Sequence, residues 1–424
     1  MVSLAMRRVL VGTAAVVGAL GWLQLAPAFG FPVTAPAAML DRMLGAHREA
    51  GLAGWALLLL GEAVFVIGYF LVVEPRSRGV FAPIAYALCA WLLSGAVLMP
   101  VIGLIQGSPP ATDSMRATFF MLNLGPGAAV ESLVAWLLFG AVLAAGRNLD
   151  VRPRHFYLAG GAVALAAALA FAIPAIVVKT NESHVVEGSV AALPTGPVFI
   201  SVLELPQPAG AVLAPHAPHI PGFVLDVWGT ATMAIGGTTV DVHHGDAVFL
   251  ANQLRHDHEN RAAVPAAIVI AVLLVGLTVA LLAGLWRRRA VVVLAALLVL
   301  GVVATIDPLM NDWYFVGVRP ASQHGGLMLV PAAHRTYESE NLTGLAAGPY
   351  IERLTYRSLE SGESTSFAGP AAIVILDGQG SVTTGGKTTG VSAPSGITIA
   401  VGADATFKAG SQGARIMVVQ VLPV

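Results

Sequence analysis

Histidine is the residue type in this chain whose spacing is best suited to chemistry. Between Gly210 and Asn260, two histidines precede a series of short apolar segments and two follow it: His216, His219, His256 and His258. Three imidazoles brought together would bind Zn, Fe, Mn, Ni or Cu without selecting among these metals. The alternative is that these are exposed loop histidines beside prolines.

The segments between these histidines predict β-strands. The apolar runs Phe223–Trp228 and Ala247–Leu250 alternate with glycine-bearing turns at Gly236–Gly237 and Gly245. Short strands at regular spacing with such turns are typical of a small all-β sandwich or barrel. The histidines therefore bracket a compact β region.

The three-residue step from His216 to His219 limits how these two side chains are used. Side chains two apart on a strand share a face, whereas side chains three apart do not. The two imidazoles converge on one ion only if Pro218 breaks the strand between them. Asp226 is the one carboxylate within the predicted strands that could join them, and its side chain is predicted to turn outward as readily as inward.

The same stretch resembles the cupin family. The second cupin motif reads G-x5-P-x-G-x2-H-x3-N. This chain matches it with alanine and glutamine in the proline and second glycine places, through the residues Gly245, Ala251, Gln253, His256 and Asn260. The first motif, G-x5-H-x-H-x3-4-E-x6-G, is matched more loosely by Gly210, His216 and His219.

The resemblance implies one metal ion. In cupins the motif histidines and a glutamate bind one divalent metal inside the barrel. Carried over, this implies His216, His219 and His256 as ligands of one divalent transition metal (Zn, Fe, Mn, Ni or Cu). The glutamate place holds Gly222, Phe223 or Val224 in this chain.

The glycine spacing of this region recurs at the C-terminus. The step from Gly229 to Gly236–Gly237 equals the step from Gly378 to Gly385–Gly386. Phe407 follows Gly396 by the interval that separates His256 from Gly245. An internal repeat of this kind predicts a duplicated fold. The resemblance therefore covers two cupin-like barrels, 194–262 and 346–424, of which the second has no metal ligands.

The composition is that of an integral membrane protein. Only 11% of the 424 residues are charged and 56% are hydrophobic, against about 25% charged residues in an average soluble domain. No basic patch with interleaved aromatic residues is present, so no nucleic-acid partner is predicted. Cys89 is the only cysteine, which excludes an intrachain disulfide.

Seven apolar segments approach the roughly 20 residues that a membrane-spanning helix needs. They lie at about Val9–Leu25, Leu52–Val73, Val80–Ile105, Gly127–Ala145, Phe156–Val178, Val264–Trp286 and Ala290–Ile306. The predicted domains are a five-helix membrane domain (1–178), a first barrel (179–262), a two-helix hairpin (263–306) and a second barrel (307–424). Ala26–Ala28 resembles a signal-peptide cleavage site, so cleavage after the first segment is an alternative.

The junction between the first barrel and the hairpin has two interpretations. Val264–Val275 could be the closing strand of the barrel, but then too few residues remain to span the membrane. We therefore predict a helix from Val264, which leaves the first barrel one strand short. Trp313, Tyr314 and Phe315 follow the last span and predict an interfacial aromatic anchor.

Arginines alternate between the predicted loops and indicate the orientation. The arginine-rich loops hold Arg7, Arg8, Arg76, Arg78, Arg147, Arg152, Arg154, Arg287, Arg288 and Arg289. The positive-inside rule places these loops in the cytoplasm. The prediction is a multi-pass protein of the cytoplasmic (inner) membrane, with its N-terminus inside and both β domains outside.

Two carboxyls fall within predicted spans, where ionisable groups are costly and often functional. Glu62 lies near the middle of the second span and Glu131 near the outer end of the fourth. They indicate either an ion site or neutral acids hydrogen-bonded inside the bundle.

The first five spans also vaguely resemble an uncharacterised family of small bacterial membrane proteins, through Ala37–Leu44, Gly54–Trp55 and Met99–Pro100.

Three functions are compatible with these patterns. The preferred hypothesis is a membrane-anchored protein whose barrels bind or sense a small ligand, or serve as structural modules. The first alternative is a metal-dependent cupin enzyme of oxidoreductase or isomerase type, which needs an open metal position and a proton-transfer group. The second alternative is a transporter that uses Glu62. The lipid bilayer and a small molecule are the predicted partners.

Overall fold

A computed structural model describes residues 2–44, 52–77, 79–107, 116–147, 149–177, 183–216, 220–284, 289–305, 311–325, 333–346 and 348–424. Its α-helices are α1 (Val2–Leu25), α2 (Pro36–Met43), α3 (Leu52–Gly68), α4 (Phe81–Leu93), α5 (Met99–Ile105), α6 (Pro126–Gly146), α7 (Pro153–Val177), α8 (Val264–Leu282) and α9 (Ala290–Thr305). Tyr69–Val73 extends α3 as a π-helical turn, and Ser94–Leu98 joins α4 to α5 in the same way.

Five helical segments within these ranges are long and apolar enough to cross a membrane. They are Leu4–Phe29, Ala53–Val73, Phe81–Ile105, Pro126–Gly146 and Val264–Leu282, and Ala290–Thr305 is a shorter apolar helix. The predicted fifth span falls on α7, and its last residue, Val178, lies outside the described residues. The helix predicted from Val264 is present as α8.

α1 forms the centre of the helical bundle and packs against α6 and α9. Small residues allow this close approach: a Cβ at Gly21 would lie 3.0 Å from the Cα of Gly301, and a Cβ at Gly301 would lie 2.6 Å from Val17 Cγ1. Small-residue contacts are a common way for membrane helices to associate.

The two ends of the bundle differ in charge. At one end the Glu74 carboxylate accepts hydrogen bonds from Arg7 and Arg8, and Arg147 Nη2 donates to the Glu74 carbonyl oxygen at 3.1 Å. At the other end the turn Ala26–Phe29 contacts Gly210, whose missing side chain leaves room for Ala28. The β-rich region therefore packs against the end of α1 that is remote from the arginines.

The β-rich region contains sixteen described strands. They are β1 (Ser183–Val190), β2 (Val198–Gln207), β3 (Val212–His216), β4 (Gly222–Trp228), β5 (Thr230–Ile235), β6 (Thr238–His243), β7 (Ala247–Leu250), β8 (His256–Glu259), β9 (Asn311–Pro320), β10 (His334–Glu338), β11 (Tyr350–Leu359), β12 (Ser364–Ala368), β13 (Ala371–Thr384), β14 (Lys387–Ser392), β15 (Ser395–Ile399) and β16 (Asp404–Pro423). We call β2–β10 the first β unit, and β1 with β11–β16 the second β unit.

The strand pairing of the first unit is repeated in the second. The first unit has a five-stranded sheet in the order β10-β2-β9-β4-β7 and a four-stranded sheet in the order β3-β8-β5-β6. In the second unit all strands belong to one sheet, in which β12 flanks the first half of β16 and β14 flanks the second half of β13. Met233 pairs with His258, and Val382 pairs with Phe407 at the equivalent place, three residues before each Gly-Gly turn.

The hairpin α8–α9 interrupts a strand that is continuous in the second unit. β16 pairs first with β12 and then with β11, whereas β8 pairs with β3 and β9 pairs with β2. β8 and β9 are thus the two halves of one strand, and residues 261–310 lie between them. The strand that the sequence leaves missing from the first unit is β9, which lies between β2 and β4.

The sheets cross the predicted domain boundaries at both ends. β1 precedes the first unit but pairs with β11, and β10 precedes β11 but pairs with β2. Each predicted domain therefore supplies an edge strand to the β unit of the other.

The five-stranded sheet is buried on both faces. Val224 of β4 packs inside the first unit, whereas its neighbours Phe223 and Leu225 pack against Val374 and Met417 of the second unit. Strand alternation directs successive side chains to these two cores. The two units therefore share one apolar interface.

The predicted aromatic anchor is wrong. Trp313 is 1% exposed inside the first unit, and Tyr314 is buried in the shared interface between the units. Both lie on β9, where they alternate between the two cores. These aromatic residues have the composition of a membrane-interface belt, but the pairing of β9 with its neighbouring strands places them inside the β-rich region.

Candidate metal centre

Three histidines of the first unit converge at one point. His216 ends β3 and pairs with His256 at the start of β8, and His258 follows two residues later on β8. Side chains two residues apart on a strand lie on the same face, so the imidazoles of His256 and His258 project from the same side of β8. One ring nitrogen from each of the three residues lies within 4.8 Å of the others.

An irregularity in β3 brings His216 to the cluster. Leu213 pairs with His258 and His216 pairs with His256, so β3 uses one more residue than β8 over this interval. A bulge of this kind re-aims the side chains that follow it. The centroids of the His216 and His256 rings lie 4.2 Å apart, and those of His256 and His258 lie 4.9 Å apart.

Two of the imidazoles present nitrogen atoms without a hydrogen-bond partner. His256 Nδ1 lies 2.9 Å from the Leu254 carbonyl oxygen, so this nitrogen is the donor and Nε2 keeps its lone pair. His256 Nε2 and His258 Nδ1 are buried and have no hydrogen-bond partner among the described residues. An unsatisfied buried polar atom costs about 1–3 kcal/mol. A metal ion bound between these nitrogens would remove that cost.

Burial keeps both β8 histidines in the form that binds metals. His256 is 2% exposed and His258 is 4% exposed. Burial lowers the pKa of His256 and lowers the pKa of His258 well below the ordinary value. Neutral imidazole is the metal-binding form, so the donor set suits a divalent transition metal.

Polar and aromatic neighbours fix the position of β8. The Trp313 ring meets the His258 ring edge to face, with centroids 4.9 Å apart. Gln207 accepts a hydrogen bond from Trp313 Nε1 at 2.9 Å and donates to the His258 carbonyl oxygen at 3.2 Å. Asn260 Nδ2 donates to the Gln207 carbonyl oxygen at 2.8 Å. β2 and β9 therefore hold the histidine strand in place.

Among the residues that the structure describes, no carboxylate joins the three histidines. Asp226 is 0% exposed, so its side chain is not turned out to solvent. It accepts a hydrogen bond from the Trp228 backbone amide at 2.9 Å, and burial raises the pKa of its carboxyl to about 8. Asp226 is a buried acid of the first unit but does not take the place of the cupin glutamate as a ligand.

The structure brings together two of the three predicted ligands. His216 and His256 lie in the cluster, whereas His219 falls outside the described residues. His258 was not predicted as a ligand. The spacing His256–Asp257–His258 indicates this ligand, because side chains two residues apart on a strand lie on one face. His216 and His219 are three residues apart, so the same rule does not place them on one face.

The two predicted intramembrane carboxyls lie in the helical bundle rather than at the histidines. Glu131 of α6 is buried and accepts a hydrogen bond from Thr34 Oγ1 at 2.9 Å. Glu62 of α3 lines a cavity between the helices.

Strand pairing shifts the predicted alignment of the two copies by two residues. Ala405 and Phe407 stand at the positions of His256 and His258, so Phe407 corresponds to His258 and not, as predicted, to His256. The predicted second copy (346–424) has no histidine.

Solved structures similar to this chain are cupin-fold proteins and match its C-terminal part. The protein YhaK from Escherichia coli is 15% identical, with a TM-score of 0.33, over 57% of this chain and 94% of that chain. A cupin 2 conserved barrel domain protein from Leptotrichia buccalis is 14% identical, with a TM-score of 0.28, over 58% of this chain and 93% of that chain.

The bacterial pirin YhhW from Escherichia coli, solved with nickel(II), is 12% identical, with a TM-score of 0.29, over 57% of this chain and 96% of that chain. The nickel belongs to that protein. No protein-family model matches this chain, and no curated protein matches it.

Proposed function

We propose that this protein is a membrane-anchored pair of cupin-like barrels, the first of which binds one divalent transition metal and, through it, a small ligand. The observation that carries the proposal is the convergence of His216, His256 and His258, with two buried nitrogen atoms left unpartnered. The protein's role on this proposal is ligand binding or sensing outside the cytoplasmic membrane.

A three-histidine site leaves room for a ligand on the metal. Structural zinc sites use four protein ligands, whereas sites with three keep a position for water or another small molecule. The bound molecule would be a small donor such as a carboxylate or an enolate, because oxygen donors of this kind coordinate such metals. This open position supports binding more directly than a structural role for the metal.

The second barrel serves as a packing partner in this proposal. Phe407 fills the position equivalent to His258 and is fully buried in the core of its own unit. The reciprocal strands β1 and β10 and the shared interface join it to the first barrel. One metal ion per chain is therefore expected.

The proposed location rests on the charge of the bundle ends. Arg7, Arg8 and Arg147 gather around Glu74 at one end, and the first β unit packs against the other. If the positive-inside rule holds, the β units lie outside the cytoplasmic membrane. Seven spans, with α7 and α9 added to the five long apolar helices, would give this arrangement.

Metal analysis of the purified full-length protein tests the proposal. We expect about one transition-metal ion per chain, lost in His256→Ala and His258→Ala because two imidazoles are too few to hold the ion. His243→Ala is the matched control, since His243 is an exposed histidine of the same unit. A metal-free protein after growth with added metals, or metal retained in both cluster variants, would refute the site.

Metal-dependent catalysis is the second candidate, and Asp226 is the observation that favours it. A buried carboxyl whose pKa is raised to about 8 can exchange a proton near neutral pH. Its strand partner, Trp313, contacts His258. In Co(II)-substituted protein, an absorption change near pH 8 that disappears in Asp226→Asn would support this alternative. A spectrum without that titration would favour binding alone.

A further inference from the structure

A cavity of about 190 Å³ lies inside the helical bundle, far from the histidine cluster in sequence. Residues of α1–α6 and of the segment before α6 form its wall. Most of the wall is apolar, and its aromatic members are Phe65, Trp91, Phe120, Trp136 and Phe139. Engineered apolar cavities of about 150 Å³ hold a single benzene ring. The volume and the aromatic wall therefore fit one ring.

Glu62 is the one ionisable side chain in the wall of this cavity. It lies near the middle of the span Ala53–Val73, and the structure shows it in no hydrogen bond with the described residues. A carboxyl in an apolar interior is costly unless a partner satisfies it. A ligand bound in the adjacent cavity could supply the hydrogen-bond partner that Glu62 lacks.

Three other polar side chains in the wall already have partners. Trp91 Nε1 donates to Ser132 Oγ at 3.1 Å, and Ser132 Oγ donates to the Ala129 carbonyl oxygen at 3.0 Å. Ser94 Oγ donates to the Trp91 carbonyl oxygen at 3.1 Å. Glu62 is thus the carboxyl group available to a ligand.

Two departures from regular backbone geometry border the same cavity. Ser94–Leu98 is a π-helical turn, and Gly95 within it leaves space for the Phe120 ring. Phe120 and Met121 have φ values of 47° and 54°, in the left-handed region that non-glycine residues seldom adopt. π-turns and strained residues are concentrated at functional sites. Their presence here agrees with a site rather than a packing gap.

We propose that this cavity binds a neutral, ring-sized molecule that carries a hydroxyl group, with the ring between the aromatic side chains and the hydroxyl hydrogen-bonded to Glu62. Phenols and hydroquinones belong to this chemical class. Such molecules are amphipathic and enter the apolar part of a bilayer. The site is separate from the metal centre and does not depend on it.

Fluorobenzene and 4-fluorophenol are suitable probes, because they differ by the hydroxyl alone and both give a fluorine NMR signal. Full-length protein in lipid nanodiscs should bind 4-fluorophenol about tenfold more tightly than fluorobenzene, as expected for one added buried hydrogen bond. Glu62→Leu should abolish this preference while both probes still bind. Glu62→Gln, which keeps hydrogen-bonding capacity, should retain part of it.

Filling the cavity gives a second measurement. Gly61 lines the cavity, and a Cβ there would meet no atom within 4 Å, so Gly61→Leu should fit and exclude both probes. Gly160→Leu is the matched control, since Gly160 has similar open space but lies on α7 outside the cavity. Gly160→Leu should bind both probes as the parent does.

Three results would overturn the proposal. They are equal affinity for the two probes, an unchanged preference in Glu62→Leu, and undiminished binding in Gly61→Leu. Tighter binding of benzylamine than of 4-fluorophenol would also overturn it, because the ligand would then be a cation.

Discussion

At the scale of single residues, His258 shows how burial prepares a donor for a metal. Its ring is held by Trp313, and its pKa lies well below the ordinary value because burial disfavours the charged form. Protons compete with a metal for the same lone pair. A lowered pKa therefore moves that competition to lower pH.

Metal retention should follow this shift. We expect the metal content to be constant from pH 8 down to 6.5, about the ordinary pKa of histidine, and to fall only at lower pH. Dialysis at stepped pH followed by metal analysis measures the release. Release with a midpoint at or above pH 6.5 would contradict the role of the two buried β8 histidines.

Glu352 is a buried acid that affects the pH dependence of stability rather than metal binding. It lies on β11 and is 0% exposed, and neither of its carboxyl oxygens has a hydrogen-bond partner in the part of the chain that the structure describes. Burial raises its pKa to about 8, so the folded protein holds a proton that the unfolded chain releases near pH 4 to 5. Its favourable effect is complete below the unfolded pKa and is lost as pH rises through about 8.

The variant Glu352→Gln should remove this dependence. We expect the thermal midpoint of the parent protein to fall between pH 5 and pH 8.5, and to fall less in Glu352→Gln. Asp404→Asn, at an exposed carboxyl of β16, is the control and should behave as the parent does. Equal pH slopes in Glu352→Gln and the parent would show that this carboxyl is not the titrating group.

At the scale of elements, the strand formed by β8 and β9 decides whether the metal site is complete. β9 brings Trp313 against His258, although residues 261–310 separate it from β8. In the second unit residues 410–413 make this connection. Ala409 donates its amide to Glu363 as Asn260 does to Ala211, and Ala414 pairs with Leu359 as Asn311 pairs with Gln207. The hairpin is therefore an insertion in a strand.

Two changes to the chain test this interpretation. Replacing residues 261–310 by Gly-Ser-Gln-Gly should preserve the metal content, because β8 and β9 are then joined as the two halves of β16 are. Truncation after Pro308 should abolish it, because β9 and β10 are lost from the first unit. Metal analysis of both proteins is the measurement, and metal retained after truncation would show that β9 is dispensable.

The sequence predicts local elements better than it predicts their pairing. The glycine turns and His256 follow from spacing, since each depends on a few neighbouring residues. β9 has both faces buried and therefore lacks the polar-apolar alternation that identifies a strand. Its partners β2 and β4 also lie more than eighty residues earlier in the chain. The two-residue periodicity of a strand predicts that His258 shares a face with His256, whereas the cupin motif implies His219.

At the scale of the whole molecule, the bundle and the β units form one body with two distinct ends. α1 contributes to both: its beginning reaches the arginine end, and the turn after it contacts Gly210. The core position of α1 favours its retention over cleavage at Ala26–Ala28, because removal would open the centre of the bundle.

Reporter fusions measure the resulting orientation. A periplasmic-type reporter at Val424 should be active outside the cytoplasm, and a cytoplasmic-type reporter after Arg76 should be active inside. The N-terminus of the purified protein should precede Ala26 by mass spectrometry. A C-terminal reporter active in the cytoplasm would exclude the proposed odd number of spans.

The exchange of β1 and β10 also sets the order in which the chain can finish folding during synthesis. β1 ends at Val190, and its partner β11 begins at Tyr350, which is 350 − 190 = 160 residues later. At about 5–20 residues per second, the ribosome takes roughly 8–32 s to make that interval. During this time the emerging first unit has incomplete sheets, and on the proposed topology two further helices enter the membrane before β9 is made. Chaperone protection outside the membrane would matter most in that interval.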